Sequence, residues 1–502
     1  MINPRPSGQS PRRSFVLITL IGAILIRLPL LPTPLTYAND IWRQADTASI
    51  AYHFSINGFK LLYPQIFWGG NGPGYVEAEF QLYPFIVALF YRVLGEQLWL
   101  GRLVSLLFTI PAFVLFYLLA RRVLEPRPAV WALAFFGISP LYIRYSIAFM
   151  PEATVMCFYV AALYFFYRWL DEQCLTTLLL AAICTSLAIL VKPTSIHIGL
   201  IFALLALERY GWSVLKRWDL WLAATVCLLP GMLWYVHAHD LYLQYGNTFG
   251  ILSGGDSKFG SLRYWIAGHF YLSVLKLETT WVLAGGGLAL FLPGLALALR
   301  KRQNLLIVYG MIVIFIYYLI VARYAQEEWG IQYHVYAVPF AALGIGIGFD
   351  WLLTRTRKTI GVGIALASVL AILVWTAYPY RDMLATQPNR LVKCATTVEK
   401  VVPKEARMIV STTSFAQDNG VPNNYQEPTI FFYSHRYGWS LPGDRHEPET
   451  VEELRRAGAG YFVIYSQELY RASPDLVAYL NANAEQIGDG IEAGCGIYRF
   501  RQ

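Results

Sequence analysis

The sequence predicts a polytopic α-helical membrane protein of about eleven transmembrane helices plus interfacial helices, ending in a small extracytoplasmic α/β domain. Three observations predict it. The 502 residues are 56% hydrophobic and only 14% charged. Apolar runs long enough for a hydrocarbon core of about 30 Å recur through the first 380 positions. Lys and Arg gather in short clusters between those runs, as they do in cytoplasmic loops. A mean hydropathy of +0.43 is too high for one soluble domain. The formal charge of +8 would suggest nucleic acid in a soluble chain, but the positive-inside pattern accounts for it and excludes that partner.

The elements follow in order. Residues 15–31, preceded by Arg12-Arg13 and carrying Arg27 near the far end, read as a retained first helix with its N-terminus inside rather than as a cleaved leader. The later basic clusters are Arg121-Arg122 with Arg127, Lys216-Arg217, Arg300-Lys301-Arg302, and Arg355 with Arg357-Lys358. If all are cytoplasmic, an even number of crossings must separate each pair. The first interval holds 130–145, 153–170, 175–191 and 195–207; the second holds 220–236 and 281–299; the third holds 305–321 and 335–353. Before Arg121 there are three runs, 15–31, 80–94 and 98–119. The shortest, 80–94, contains Tyr83, Pro84, Tyr91 and Arg92 and is assigned to an interfacial or re-entrant helix. The last run, 360–376, ends outside, which divides the chain into a membrane domain, 1–380, and an outer domain, 381–502. In the latter, β-like runs at 407–411, 461–465 and 496–500 alternate with a helical stretch at 449–457. Its two cysteines, Cys394 and Cys495, sit in what should be an oxidising compartment, where they either pair or stay free.

Polar residues gather in the outside segments 33–79, 139–152 and 237–280. Ionisable groups at a membrane boundary are costly unless paired or wet, so their convergence predicts a polar cavity suited to a charged lipid headgroup. Lys192 and the stretch Gln332 to Pro339, with His334 and Tyr336, would border it. Each candidate also has a structural alternative. Asp46 and Asp40 could be helix caps or turn residues. Glu152 after Pro151 suits a helix N-terminus, and Lys192 could snorkel to headgroups. Most Trp and Tyr would belong to interfacial belts. The eight histidines show no ligand spacing, so no metal site is assigned.

Trp42-Arg43-Gln44-Ala45-Asp46-Thr47, Glu79-Phe80-Gln81-Leu82-Tyr83-Pro84, Gly101-Arg102-Leu103-Val104-Ser105, Ser139-Pro140-Leu141, Pro151-Glu152 and Val191-Lys192-Pro193 follow one another in a recognisable order. Together they resemble the polyprenyl-phosphate-sugar-dependent glycosyltransferases of the GT-C superfamily, in the dolichyl-phosphate-mannose protein mannosyltransferase and aminoarabinose transferase branch. The resemblance covers roughly residues 14 to 350. It implies a carboxylate in the first outside loop, here Asp46 with Asp40 in reserve, although the family's Asp-Glu pattern falls a few residues earlier. A second departure is Glu79, which stands where the aminoarabinose branch has a Lys that would hold the lipid phosphate.

The implied reaction moves a sugar from a polyprenyl monophosphate to a glycan, lipid or protein acceptor on the extracytoplasmic face, in a bacterial plasma membrane. Attack at the anomeric carbon needs a base for the acceptor and positive charge for the departing phosphate. Asp46 is assigned as base, Glu152 as a second carboxylate, and Lys192 with Arg263 or Lys258 as phosphate partners; Arg43, Glu79, His334 and Tyr336 complete the substrate-binding set. A single displacement would invert the anomeric configuration. No cofactor is required, and a divalent metal is left open. A polytopic lipid or solute transporter is the alternative, though broken helices in two repeated halves are not evident.

Overall fold

The apolar runs are helical over most of their length in the computed structural model, which describes residues 13–35, 40–253, 259–300, 304–355, 358–385, 389–415 and 424–501; in the run 281–299 the helix begins only at Leu288. Among the described residues, seven helices combine the length and apolarity of a membrane crossing, and Leu288–Arg300 with Leu305–Ile320 does so only as a bent pair. The helix Leu82–Leu94 is shorter. Its 13 residues rise about 20 Å, less than a hydrocarbon core of about 30 Å, in keeping with a helix that does not cross.

The described residues fall into two units, and neither is continuous in sequence. The first draws on Met1–Thr33, Arg102–Leu233 and Lys258–Ala385; the second on Pro34–Gly101, Trp234–Ser257 and Thr386–Gln502.

In the first unit, Glu152–Glu172 packs along Leu175–Val191, and Val338–Arg355 packs against both Leu288–Arg300 and Pro126–Ile138. Glycines let these helices approach closely. A Cβ on Gly348 would fall 1.8 Å from the Leu290 carbonyl, one on Gly294 1.9 Å from the Gly344 carbonyl, and one on Gly346 2.4 Å from the Pro128 carbonyl. Arg27, fully buried, locks the first helix in place. Its guanidinium donates to Ser146 Oγ at 2.6 Å and to the carbonyls of Ala23 and Gly137 at 2.6 and 2.9 Å. It also lies over the Phe113 ring.

The second unit contains the sheet. Its strands are β1 (Arg407–Thr412), β2 (Tyr437–Pro442), β3 (Ala459–Ile464), β4 (Ala484–Gly490) and β5 (Cys495–Phe500), in the order β2-β1-β3-β5-β4. The first three strands are parallel, and β5 runs antiparallel to both β3 and β4. Ile409, Phe462 and Ile464 share a core with Val451, Leu476 and Leu480 from the helices Pro448–Arg456 and Pro474–Asn483. Cys394 and Cys495 form a disulfide with Cα atoms 5.1 Å apart. Closing so long a loop restricts the unfolded chain and stabilises the fold by roughly 2–4 kcal/mol.

The first loop belongs to this unit physically. Its segment around Phe67–Gly70 lies along β2: Gly70 N–H donates to the Gly438 carbonyl at 2.8 Å, and Gly438 N–H to the Phe67 carbonyl at 3.2 Å. An edge strand that would otherwise be open is thereby covered. The helix Ile41–Ile56 is fastened by His53, whose Nδ1 lies 2.7 Å from the Ser49 carbonyl and whose Nε2 lies 3.1 Å from Tyr437 OH. Burial lowers the His53 pKa to about 4, so the ring is neutral: Nδ1–H donates to the carbonyl and Nε2 accepts from the phenol.

Two measurements check these features. Denatured, unreduced protein should label at four cysteines (Cys157, Cys174, Cys184 and Cys227), rising to six after reduction. Six before reduction would refute the disulfide. Gly348→Val should lower the unfolding temperature in detergent by several degrees, because the clash is with backbone; an unchanged melt would contradict the close approach.

Candidate active site

Candidate residues occur in both units. In the second unit they surround Asp46. The helix Ile41–Ile56 starts after Asp40, so Asp46 lies in its second turn and is not its cap. Asp40 holds the N-cap position, without a side-chain capping bond. Asp46 is 2% exposed, and its Oδ1 accepts from Trp68 Nε1 at 3.0 Å. Burial raises its pKa to about 7; the Trp68 hydrogen bond and the Arg43 charge pull it down, while Glu427 and Glu79 push it up. Arg43 pairs with Glu79 at 2.6 Å and rests over the Phe249 ring. A carboxyl poised to ionise near neutrality can take a proton from an incoming hydroxyl or amine.

The loops beside Asp46 are held by a second carboxylate. Glu77, fully buried, accepts from Thr248 Oγ1 and from Ser253 Oγ, and its backbone pairs with Asn247 and Phe249. Phe249 in turn meets Trp68, the donor to Asp46. A row of loop carboxylates does not announce which is structural. Trp68, Glu77 and Glu427 carried no signal in the sequence that would separate them from their neighbours.

In the first unit, Glu152 is the first residue of its helix and Lys192 follows the end of Leu175–Val191. The two side chains, 3% and 7% exposed, meet at 2.7 Å. Lys192 Nζ also lies 4.9 Å above the Tyr333 ring. The lysine therefore points inward rather than snorkelling, and a mobile anion could draw it from Glu152. Tyr333, His334 and Tyr336 share the 3-10 segment Glu328–Ala337. His334 is buried with both nitrogens occupied: Nε2 lies 2.8 Å from the Ala325 carbonyl and Nδ1 2.7 Å from Glu278 Oε1. These two contacts tie that segment to Glu278 and to the Ala325 backbone. Glu278 also accepts from Tyr318 OH at 2.6 Å and opens a π-helical turn, Glu278–Val282. Such turns concentrate at functional sites. Arg263 is exposed on the short helix Leu262–Trp265, and Lys258 lies outside the described residues. Among the described residues no three His, Cys, Asp or Glu side chains gather to hold a metal ion.

The architecture, apolar helices long enough to cross a membrane joined to a small α/β unit, is a fold shared with known structures, and part of the chain matches a family model. Residues 81–235 match the dolichyl-phosphate-mannose-protein mannosyltransferase family model. The structure is similar to ArnT from Cupriavidus metallidurans bound to undecaprenyl phosphate, with a TM-score of 0.66 at 15% identity, over 97% of this chain and 98% of that one. It is also similar to the Archaeoglobus fulgidus oligosaccharyltransferase AglB, in complex with an inhibitory peptide and a dolichol-phosphate, with a TM-score of 0.59 at 14% identity, over 98% of this chain and 75% of that one. At such identities the likeness is one of fold. No curated protein matches the sequence significantly.

The Glu152–Lys192 pair makes an asymmetric prediction. Removing one partner strands a buried charge, so Glu152→Gln should destabilise by roughly 3–5 kcal/mol, while Glu152→Gln with Lys192→Met should recover most of that loss. Equal losses in the single and double variants, read from thermal unfolding in detergent, would contradict a buried pair.

Proposed function

We propose that the protein transfers a sugar from a polyprenyl-monophosphate donor to an acceptor on the extracytoplasmic face, by single displacement with inversion. The observation that carries the reading is Asp46: a buried carboxyl, not a cap, ionising near neutral pH on the first loop of a GT-C fold. The similarity to ArnT bound to undecaprenyl phosphate and to AglB in complex with a dolichol-phosphate supports a lipid-phosphate donor.

Asp46 takes the acceptor's proton as the new glycosidic bond forms. The bond from the anomeric carbon to the phosphate oxygen breaks, and the phosphate leaves with its electron pair. Lys192 is the cation assigned to that developing charge, because Glu152 holds it in place without satisfying all three of its protons. These roles rest on the chemistry of each group in its own unit. The sugar and the acceptor are open to assay, as is dependence on a divalent cation.

Purified protein given undecaprenyl-phosphate sugars and a membrane extract as acceptor should release undecaprenyl phosphate. Asp46→Asn should slow that release by roughly 10²- to 10⁴-fold. Near-normal release by the variant would remove Asp46 as base. The pH profile follows from the raised pKa: the base is active only when ionised, so kcat/KM should fall about tenfold per unit as pH drops below about 7. A flat profile down to pH 5 would contradict the assignment.

A further inference from the structure

The helices Leu175–Val191, Ile198–Tyr210 and the first part of Trp218–Tyr245, with the segment Gly211–Lys216 that joins the last two, wall a groove of about 560 Å³. All of it belongs to the first unit. Its walls are apolar, built from side chains such as Leu178, Ile189, Leu200, Phe202 and Leu228. The groove exists because Trp218–Tyr245 stands off from its neighbours. Among the described residues no helix packs along it as Glu152–Glu172 packs along Leu175–Val191. Only 17% of its apolar stretch is buried, against 78% for Glu152–Glu172. One of the few points of contact is Cys227, whose Sγ lies 3.5 Å from the Ala182 carbonyl.

An apolar space of this size does not hold water: a cavity of about 150 Å³ lined by Leu, Ile and Phe already stays dry and takes up an apolar ligand. Left empty, it would forfeit dispersion contacts along its whole wall. What fills it inside a bilayer is hydrocarbon, and the mouth decides which. Trp212, Leu215 and Trp221 line the groove where the chain turns from one helix into the next, and all three are largely exposed. Trp221 Nε1 donates to the Leu215 carbonyl at 3.0 Å, which fixes this rim. Exposed Trp belongs at the headgroup level. Lys216 is exposed at the end of the rim segment, and Arg209 is half-buried in the last turn of Ile198–Tyr210. Neither forms an ion pair among the described residues. Of the acids beside them in sequence, Asp219 pairs with Arg217 at 2.5 Å and Glu208 has a contact of its own. The groove's other end lies at Ile196, and there the cation nearest in sequence is Lys192, buried against Glu152. The unpaired positive charge therefore stands at the Lys216 end, which the positive-inside pattern assigns to the cytoplasm.

We propose that the groove binds an anionic phospholipid of the cytoplasmic leaflet, with an acyl chain between the helices and the phosphate against Lys216 and Arg209. The lipid fills the space between Trp218–Tyr245 and its neighbours. It is neither donor nor acceptor, and the inference stands whether or not the chain transfers a sugar.

The test gives the full chain in detergent micelles dioleoylphosphatidylglycerol, dioleoylphosphatidylcholine or undecaprenyl phosphate. Cys227 lines the groove and Cys174 is exposed outside it, so N-ethylmaleimide labelling, read peptide by peptide, reports occupancy with an internal control. Phosphatidylglycerol should slow labelling of Cys227 in wild type, leave Cys174 unchanged, and act at concentrations about tenfold below those of phosphatidylcholine. Lys216→Ala with Arg209→Ala should abolish that preference. Ala203→Trp, which fills the groove from its wall, should make Cys227 labelling independent of added lipid. Size-exclusion profiles identify any variant that has misfolded, and the wild-type comparison stands without the variants. Equal protection by the two phospholipids, no protection, or a preference that survives loss of both cations overturns the proposal. So does stronger protection by undecaprenyl phosphate than by phosphatidylglycerol, which would give the groove to an isoprenoid chain.

Discussion

The structure depends on one constraint: a charge taken out of water must find a partner or give up its ionisation. Several ionisable groups buried among the described residues obey by finding partners. Arg27 spends its donors on Ser146 and two backbone carbonyls, Arg43 meets Glu79, Lys192 meets Glu152, and His334 meets Glu278. Apart from the Arg27 bond to the Ala23 carbonyl four positions away, these contacts join segments at least 36 positions apart, so they also hold distant parts of the chain together. Asp46, like His53 and Glu427, instead gives way in its ionisation. Its strongest contact is one neutral indole N–H, with Arg43 committed elsewhere and two further carboxylates acting on it. It answers the constraint by holding its proton up to about pH 7, the property that a base working at neutral pH requires.

The helices were legible because their signal is composition over a long window. Each apolar run is helical over most of its length, including the short one at Leu82–Leu94. Less was visible where the chain breaks its own regularity. The run at 130–145 is two helices, Pro126–Ile138 and Pro140–Tyr145, because Pro140 cannot continue the first. Three strands of the C-terminal sheet were evident from β-branched and aromatic residues. β2 and β4 were not: β2 reads Tyr-Gly-Trp-Ser-Leu-Pro and β4 holds Glu485, Asp489 and two glycines, so neither alternates cleanly. Pairing with a stronger neighbour makes them strands, and that information lies in β1 and β5.

For the candidate site, sequence order and residue type nominate Asp46, Glu152 and Lys192, and the structure buries all three. It could not show which charges cancel. Arg43 and Glu79 are 36 positions apart, Glu152 and Lys192 40, and His334 and Glu278 56. Nor could it show that the first loop is part of the same unit as the outer sheet, since that union is made by backbone groups of Phe67, Gly70 and Gly438, which carry no side-chain signature.

The ionisation of Asp46 is the most direct point of contact between this account and experiment. Difference infrared spectroscopy of wild type against Asp46→Asn, titrated from pH 4 to 9 in nanodiscs, isolates the protonated carboxyl band of this one side chain. The account predicts that the band titrates near pH 7. Loss of the band already below pH 5 would mean an ordinary, well-solvated aspartate, and the base would have to be sought elsewhere.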